Sequence, residues 1–296
     1  MIQMQAPGAF LAPVDGARRL VRLVQFLLLA AVLLVGVMIL GGVLAGAAGL
    51  SPLLAELPID GVPEGPDRLI GESVFIAVLA VVLSLMAGAI LAAAAIVWRR
   101  APRSFLWPGR CVSWRLLAWG FVFMALTAAL SGAVATALGT RLDSPLFDAA
   151  YGADTRWLYA ATAGAGLLAA AAAEEVVLRG VVLQITAAFT RNAWVLCVLN
   201  GVVFAAIHFD PDPVAFVSRA LSGAAWAWAA LRLGGLEFAI GAHWANNLMI
   251  SLFAEPFSGA AAIGQGYPLH ALLMDLPVAA ATVVAVELLA RRRPPA

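Results

Sequence analysis

The chain has 296 residues, 63% of them hydrophobic and only 12% charged, where an ordinary soluble domain carries about 25% charged residues. Its 18 basic and 17 acidic residues nearly cancel, leaving a net charge of +1 and no broad field to attract nucleic acid. Composition thus excludes a soluble domain and a nucleic-acid binder, and points to an all-α, polytopic transmembrane helix bundle whose surroundings are the lipid bilayer.

In chain order, Arg18, Arg19 and Arg22 precede an apolar run from about Leu23 to Leu50. That run is longer than the 7–15 residues of a signal-peptide core, so an uncleaved first span is expected. With about 20 apolar residues needed per crossing, eight spans are expected near 24–47, 73–98, 114–138, 158–189, 193–208, 214–232, 235–253 and 270–290. The fourth is too long for one perpendicular crossing and must tilt or project. The fifth and sixth are short and separated only by Asp210-Pro211-Asp212-Pro213.

Arginines cluster at 18–22, 99–115, 191, 232 and 291–293, at alternate ends of these spans, and most loop acids fall in the intervening loops. By the positive-inside rule both termini are expected in the cytoplasm. Residues 1–150 then supply three spans without site motifs, and 151–296 a core that carries them. Cys111 and Cys197 share no close spacing, which suggests neither a cysteine metal site nor a disulfide framework.

An ionisable residue inside a membrane helix costs about 2.5–3.5 kcal/mol on insertion scales, so each one is a functional candidate. The first half of the chain is expected to bury essentially none. The second half places Glu174, Glu175, Arg179, His208, Arg219, Glu237 and His243 in or beside its spans, with Asn200, Asn246 and Asn247. Glu175 and Arg179, four apart, share a helix face and are expected to form an ion pair. Glu174 is left as a free acid suited to general-base work. His208 ends the fifth span, and His243 and Asn247 share one face of the seventh. His270 is expected at the membrane interface, and Arg219 is expected to pair with Glu237 across spans six and seven. Glu174, His208 and His243 are also a ligand set that could hold a metal with one open position, although no HExxH occurs.

The order Glu174-Glu175…Arg179, Phe204…His208, His243…Asn247 resembles the pattern EExxxR, FxxxH, HxxxN of the CPBP membrane proteases. That family takes in the type II CAAX prenyl endopeptidases and bacteriocin-processing or immunity proteins. The resemblance covers about 155–255. It implies an intramembrane endopeptidase whose substrate is a membrane-associated protein or peptide, with Glu174 and His208 activating water and His243 and Asn247 holding the oxyanion. It leaves two chemistries open, Zn2+ on Glu174, His208 and His243 or direct action of Glu174. A catalytically idle immunity or partner-binding protein and an ion-coupled transporter are the competing readings. An arginine-only, alanine-rich chain points to a bacterial inner membrane.

Overall fold

The computed structural model describes residues 8–11, 18–50, 65–257, 266, 269 and 272–292. Helix is the only extended regular structure among them. After a short turn at Gly8–Leu11 come α1 (Arg19–Ala47), α2 (Arg68–Trp98) and α3 (Trp114–Ala137). Ala153–Glu175, a π-helical stretch at Val176–Val182 and Leu183–Ala187 run on without a break and together make α4. Then follow α5 (Ala193–Ala206), α6 (Pro213–Leu233), α7 (Glu237–Phe253) and α8 (Leu272–Arg291).

These helices correspond in order to the expected spans, and the chain is a multi-pass membrane protein. Five of them, α1, α2, α3, α6 and α8, are long and apolar enough to cross a bilayer by length and composition. His270 lies outside the described residues.

Local chemistry sets several boundaries. Asp212 caps α6 by accepting from the amides of Val214 and Ala215 at 2.7 and 2.9 Å, with Pro213 at the first helical position, where no amide is needed. Gly234, at φ +67°, ends the helix in the left-handed conformation that glycine adopts at least cost. Asn192 caps α5 in the same manner as Asp212 caps α6. One boundary departs from expectation: α2 begins at Arg68, five residues early, and carries Glu72 fully buried into the bundle. The first half of the chain therefore does bury an acid. Arg68, one turn earlier with its Nε 3.9 Å from the carboxylate, supplies the opposite charge.

Packing centres on α7, which lies against α3, α4 and α6. At the α3–α7 crossing a Cβ on Gly120 would strike the carbonyl of Phe238, and one on Gly241 would strike that of Leu117. At the α5–α6 crossing a Cβ on Gly201 would strike the carbonyl of Ala220, and one on Gly223 would strike the Cβ of Phe204 and the backbone of Gly201. Small residues thus let backbones touch where lipid offers no hydrophobic drive to helix pairing. By contrast α1 buries only Phe26 and Ala30. It is held to α2 and α4 through Phe26, Trp98, Phe105, Val181 and Ile185.

Candidate functional site

The two glutamates close the first α-helical part of α4, and Arg179 lies in the π-helical stretch that follows. In that stretch the amide of Leu183 reaches back five residues to the carbonyl of Leu178, widening the turn as π segments do, often at functional sites. Asn200 of α5 donates its Nδ2 to the same carbonyl at 2.9 Å. Gln184 donates to the carbonyl of Phe105 at 2.8 Å. Two buried amide side chains therefore tie the irregular backbone to its neighbours.

The expected pair forms: Arg179 Nη1 donates to Glu175 Oε1 at 2.8 Å, and neither residue has any exposed surface. Arg179 also donates through Nη2 to the carbonyl of Gly223 in α6, at 2.9 Å. Its guanidinium lies 4.8 Å from the Phe204 ring centre and 5.5 Å from that of Trp226, both within cation–π range. A buried cation with a carboxylate, a carbonyl and two aromatic faces is well compensated for the loss of water.

Glu175 has a second duty that spacing alone did not reveal. The same oxygen, Oε1, lies 2.9 Å from Nδ1 of His243. Because a carboxylate only accepts, Nδ1 carries the hydrogen and Nε2 is left for other chemistry. Glu174, one residue back, brings its Oε2 to 4.0 Å from that Nε2. The two carboxylates thus address the two nitrogens of a single imidazole. Glu174 keeps 19% of its side chain exposed, whereas Glu175 is sealed.

Trp226 of α6 completes the enclosure. Its ring stacks on His243 with centres 4.4 Å apart and planes 24° apart. Phe204 meets His243 edge-on at 5.7 Å and His208 edge-on at 4.8 Å, so a single phenyl ring touches both histidines. Trp226 had no signal in the sequence, being one more aromatic residue in an apolar run.

His208 sits just beyond α5, its Nδ1 at 2.7 Å from the carbonyl of Phe204. A carbonyl cannot donate, so Nδ1 holds the hydrogen and Nε2 can accept. Glu174, His243 and Arg219 all lie within electrostatic reach of this ring. The turn after it is pinned: Phe209 takes φ +53°, Asp210 accepts from the amide of Asp212 at 3.0 Å, and Arg219 donates to Asp210 at 2.7 Å. Asn247 lies one turn beyond His243 on the same face of α7. Its side-chain oxygen accepts from Asn246 at 3.2 Å, which leaves its amide nitrogen to donate elsewhere.

The expected Arg219–Glu237 pair does not form. Arg219 belongs to Asp210, and Glu237 accepts from Arg110 at 2.8 Å and from the Ser113 amide at 2.8 Å. The reason is position: Glu237 opens α7 while Arg219 lies near the start of α6, at the opposite end of the bundle, and the loop before α3 swings Arg110 over Glu237 instead.

Among the described residues, no three His, Cys, Asp or Glu side chains come together closely enough to hold a metal ion.

Comparison with known proteins agrees with the motifs. Residues 154–249 match the family model described as type II CAAX prenyl endopeptidase Rce1-like, and this stretch contains all three motifs, so the resemblance read from the sequence holds there. A curated relative, the uncharacterized protein YyaK of Bacillus subtilis (strain 168), is 26% identical over 171 residues, 53% of this chain and 54% of that protein. The chain therefore spans about half the length of the relative it matches. No solved structure matches it. Over its site-bearing stretch the chain is similar to a family of membrane proteases.

Proposed function

We propose that this chain is an intramembrane endopeptidase that cleaves a membrane-associated protein or peptide, in the manner of the CAAX prenyl endopeptidases, with Glu174 as general base. The observation that carries the reading is the approach of the Glu174 carboxylate to the free nitrogen of His243, 4.0 Å away, while Glu175 fixes the ring from the other side. A water accepting or donating at about 2.8 Å to each group spans that gap with an angle near 90°.

In the proposed step Glu174, aided by Nε2 of His208, takes a proton from water as its oxygen attacks the scissile carbonyl carbon. The carbonyl oxygen becomes an oxyanion; Asn247 Nδ2 donates to it, and Nε2 of His243 donates to it after taking up a proton from solvent before the attack, which it keeps through the step, while Nδ1 stays on Glu175. Such donors are worth most where water is excluded, as it is around Trp226 and Phe204. When the intermediate collapses, the C–N bond breaks and the proton held by Glu174 passes to the leaving amine. A bacterial inner-membrane setting with both termini cytoplasmic is part of the proposal, supported by the arginine clusters at alternate ends of the helices.

The test is cleavage of a model membrane peptide by the purified chain, followed by mass spectrometry, with elemental analysis of the same preparation. Glu174→Gln is expected to remove about 10²–10⁴-fold of the rate, the range of a positioned general base, while solubilised yield stays unchanged. Full activity in that variant would end the proposal. One zinc per chain, lost with activity in His208→Ala, would keep the peptidase and replace the glutamate mechanism. No cleavage of any peptide with an intact fold would favour an idle binding relative.

A further inference from the structure

On the side of α7 away from His243, α3 and α8 flank a groove of about 270 Å³, with Phe238 in its floor. On α3 its wall is Trp119, Val122 and Leu126, spaced three to four residues apart along one face. On α8 it is Ala285, Leu288 and Leu289, followed one turn later by Arg292. Among the described residues of the lining, Arg292 is the one that carries a charge. The α3 stripe extended one turn toward the same end reaches Arg115, which is exposed. Each apolar stripe thus ends in a guanidinium, and both guanidiniums lie at the end of the bundle where α3 starts and α8 finishes.

The acids beside this mouth are already engaged, Glu237, next to Phe238, by Arg110 and the Ser113 amide. Glu287, the carboxylate of α8 nearest to Arg292, turns to α6, accepting from Arg232 at 2.6 Å and from Trp228 at 3.0 Å. An apolar trough leading to two arginines, with the neighbouring acids already engaged, complements a molecule that has a hydrocarbon tail and an anionic head. Basic pockets between membrane helices recognise anionic lipid headgroups by this chemistry.

We propose that the α3–α8 groove binds an anionic phospholipid, one acyl chain lying along Trp119–Leu126 and Ala285–Leu289 and the phosphate held by Arg292 and Arg115. The site is separate from the Glu174–His243 centre, and the proposal does not depend on the chain being a peptidase. It is tested by native mass spectrometry of the full-length chain in detergent, titrated with phosphatidylglycerol and phosphatidylcholine at equal concentration. The expected result is preferential retention of phosphatidylglycerol, by roughly five-fold for each arginine engaged. The double variant Arg115→Ala, Arg292→Ala, altered only at exposed positions, is expected to bring the two lipids to near parity. Ala285→Phe, which fills the trough and leaves both arginines, is expected to remove retention of either lipid. Equal retention by the unaltered chain would overturn the proposal, as would an undiminished preference in the double variant. A dimer that disappears in Ala285→Phe, with no lipid on the unaltered chain, would assign the groove to a second copy and overturn it equally.

Discussion

The helices that satisfy a membrane-span test and the helices that carry the candidate chemistry are largely different ones. α1, α2, α3, α6 and α8 pass on length and hydropathy. Glu174 and Glu175 stand on α4, His208 follows α5 and His243 stands on α7, none of which passes. α5 is only 14 residues long and α7 only 17. The physical reason is shielding. α1 turns Leu20, Leu28 and Val32 outward, each more than 60% exposed, as a helix facing lipid must. α7 buries Glu237 through Ala242, then His243, and can carry polar groups because protein rather than hydrocarbon surrounds them. α5 and α7 already fall short on length, so the buried ionisable side chains, and not hydropathy, are the guide to the site.

The most severe test of this contrast removes a charge from the shielded set. Arg179→Ala strands Glu175 with no water and half of its partners, and breaking a buried ion pair in this way costs about 3–5 kcal/mol. A large drop in solubilised yield and in detergent Tm is the expected result. A variant that keeps the parent Tm would show that water reaches the pair.

An intermediate effect is expected at Trp226, which touches His243 but has no polar role there. Trp226→Phe preserves a ring against the imidazole, whereas Trp226→Ala opens a cavity that costs about 3–5 kcal/mol. In a cleavage assay kcat is expected to fall by about ten-fold in Trp226→Ala with KM little changed, since loosening the imidazole by an ångström or less affects the transition state most. Trp226→Phe is expected to restore most of it and to keep the parent pH profile. Equal kcat in both variants would reduce Trp226 to packing.

The smallest effect belongs to the lipid-facing set. Leu28→Ala on α1, where the side chain is 65% exposed, is expected to change stability by less than about 0.5 kcal/mol, the ordinary scatter of exposed positions. A loss several times larger, measured as the detergent Tm, would mean that α1 meets a protein partner.

Legibility in the sequence divided along similar lines. The spans could be read because hydropathy reports each segment by itself. The Glu175–Arg179 pair could be read because it is local, one helical turn long. The convergence of Glu174 with His243 rested on the three-motif resemblance, because four residues of spacing say nothing about which helices meet. What escaped reading needed long-range geometry. Arg110 reaches Glu237 from 127 residues away, so Arg219 was the natural but mistaken choice. The π-helical stretch has no compositional mark in Val176–Val182, and its stabilising donor, Asn200, comes from another helix. Glu72 escaped because the apolar run was begun one turn late.

The paired glycines at the α3–α7 and α5–α6 crossings have a mechanical consequence. Where a missing β-carbon is what lets two backbones touch, the helices behave as a gear pair with no clearance. Rotating α7 about its axis brings the side chain of a neighbouring residue against the Leu117 carbonyl, and sliding it one residue has the same result. α3 and α7 must then move as one body, as must α5 with α6. Any breathing of the bundle that lets a bulky polymer reach Glu174 falls to contacts made by side chains alone, such as those of α8 with α6, whose rotamers can give way and return.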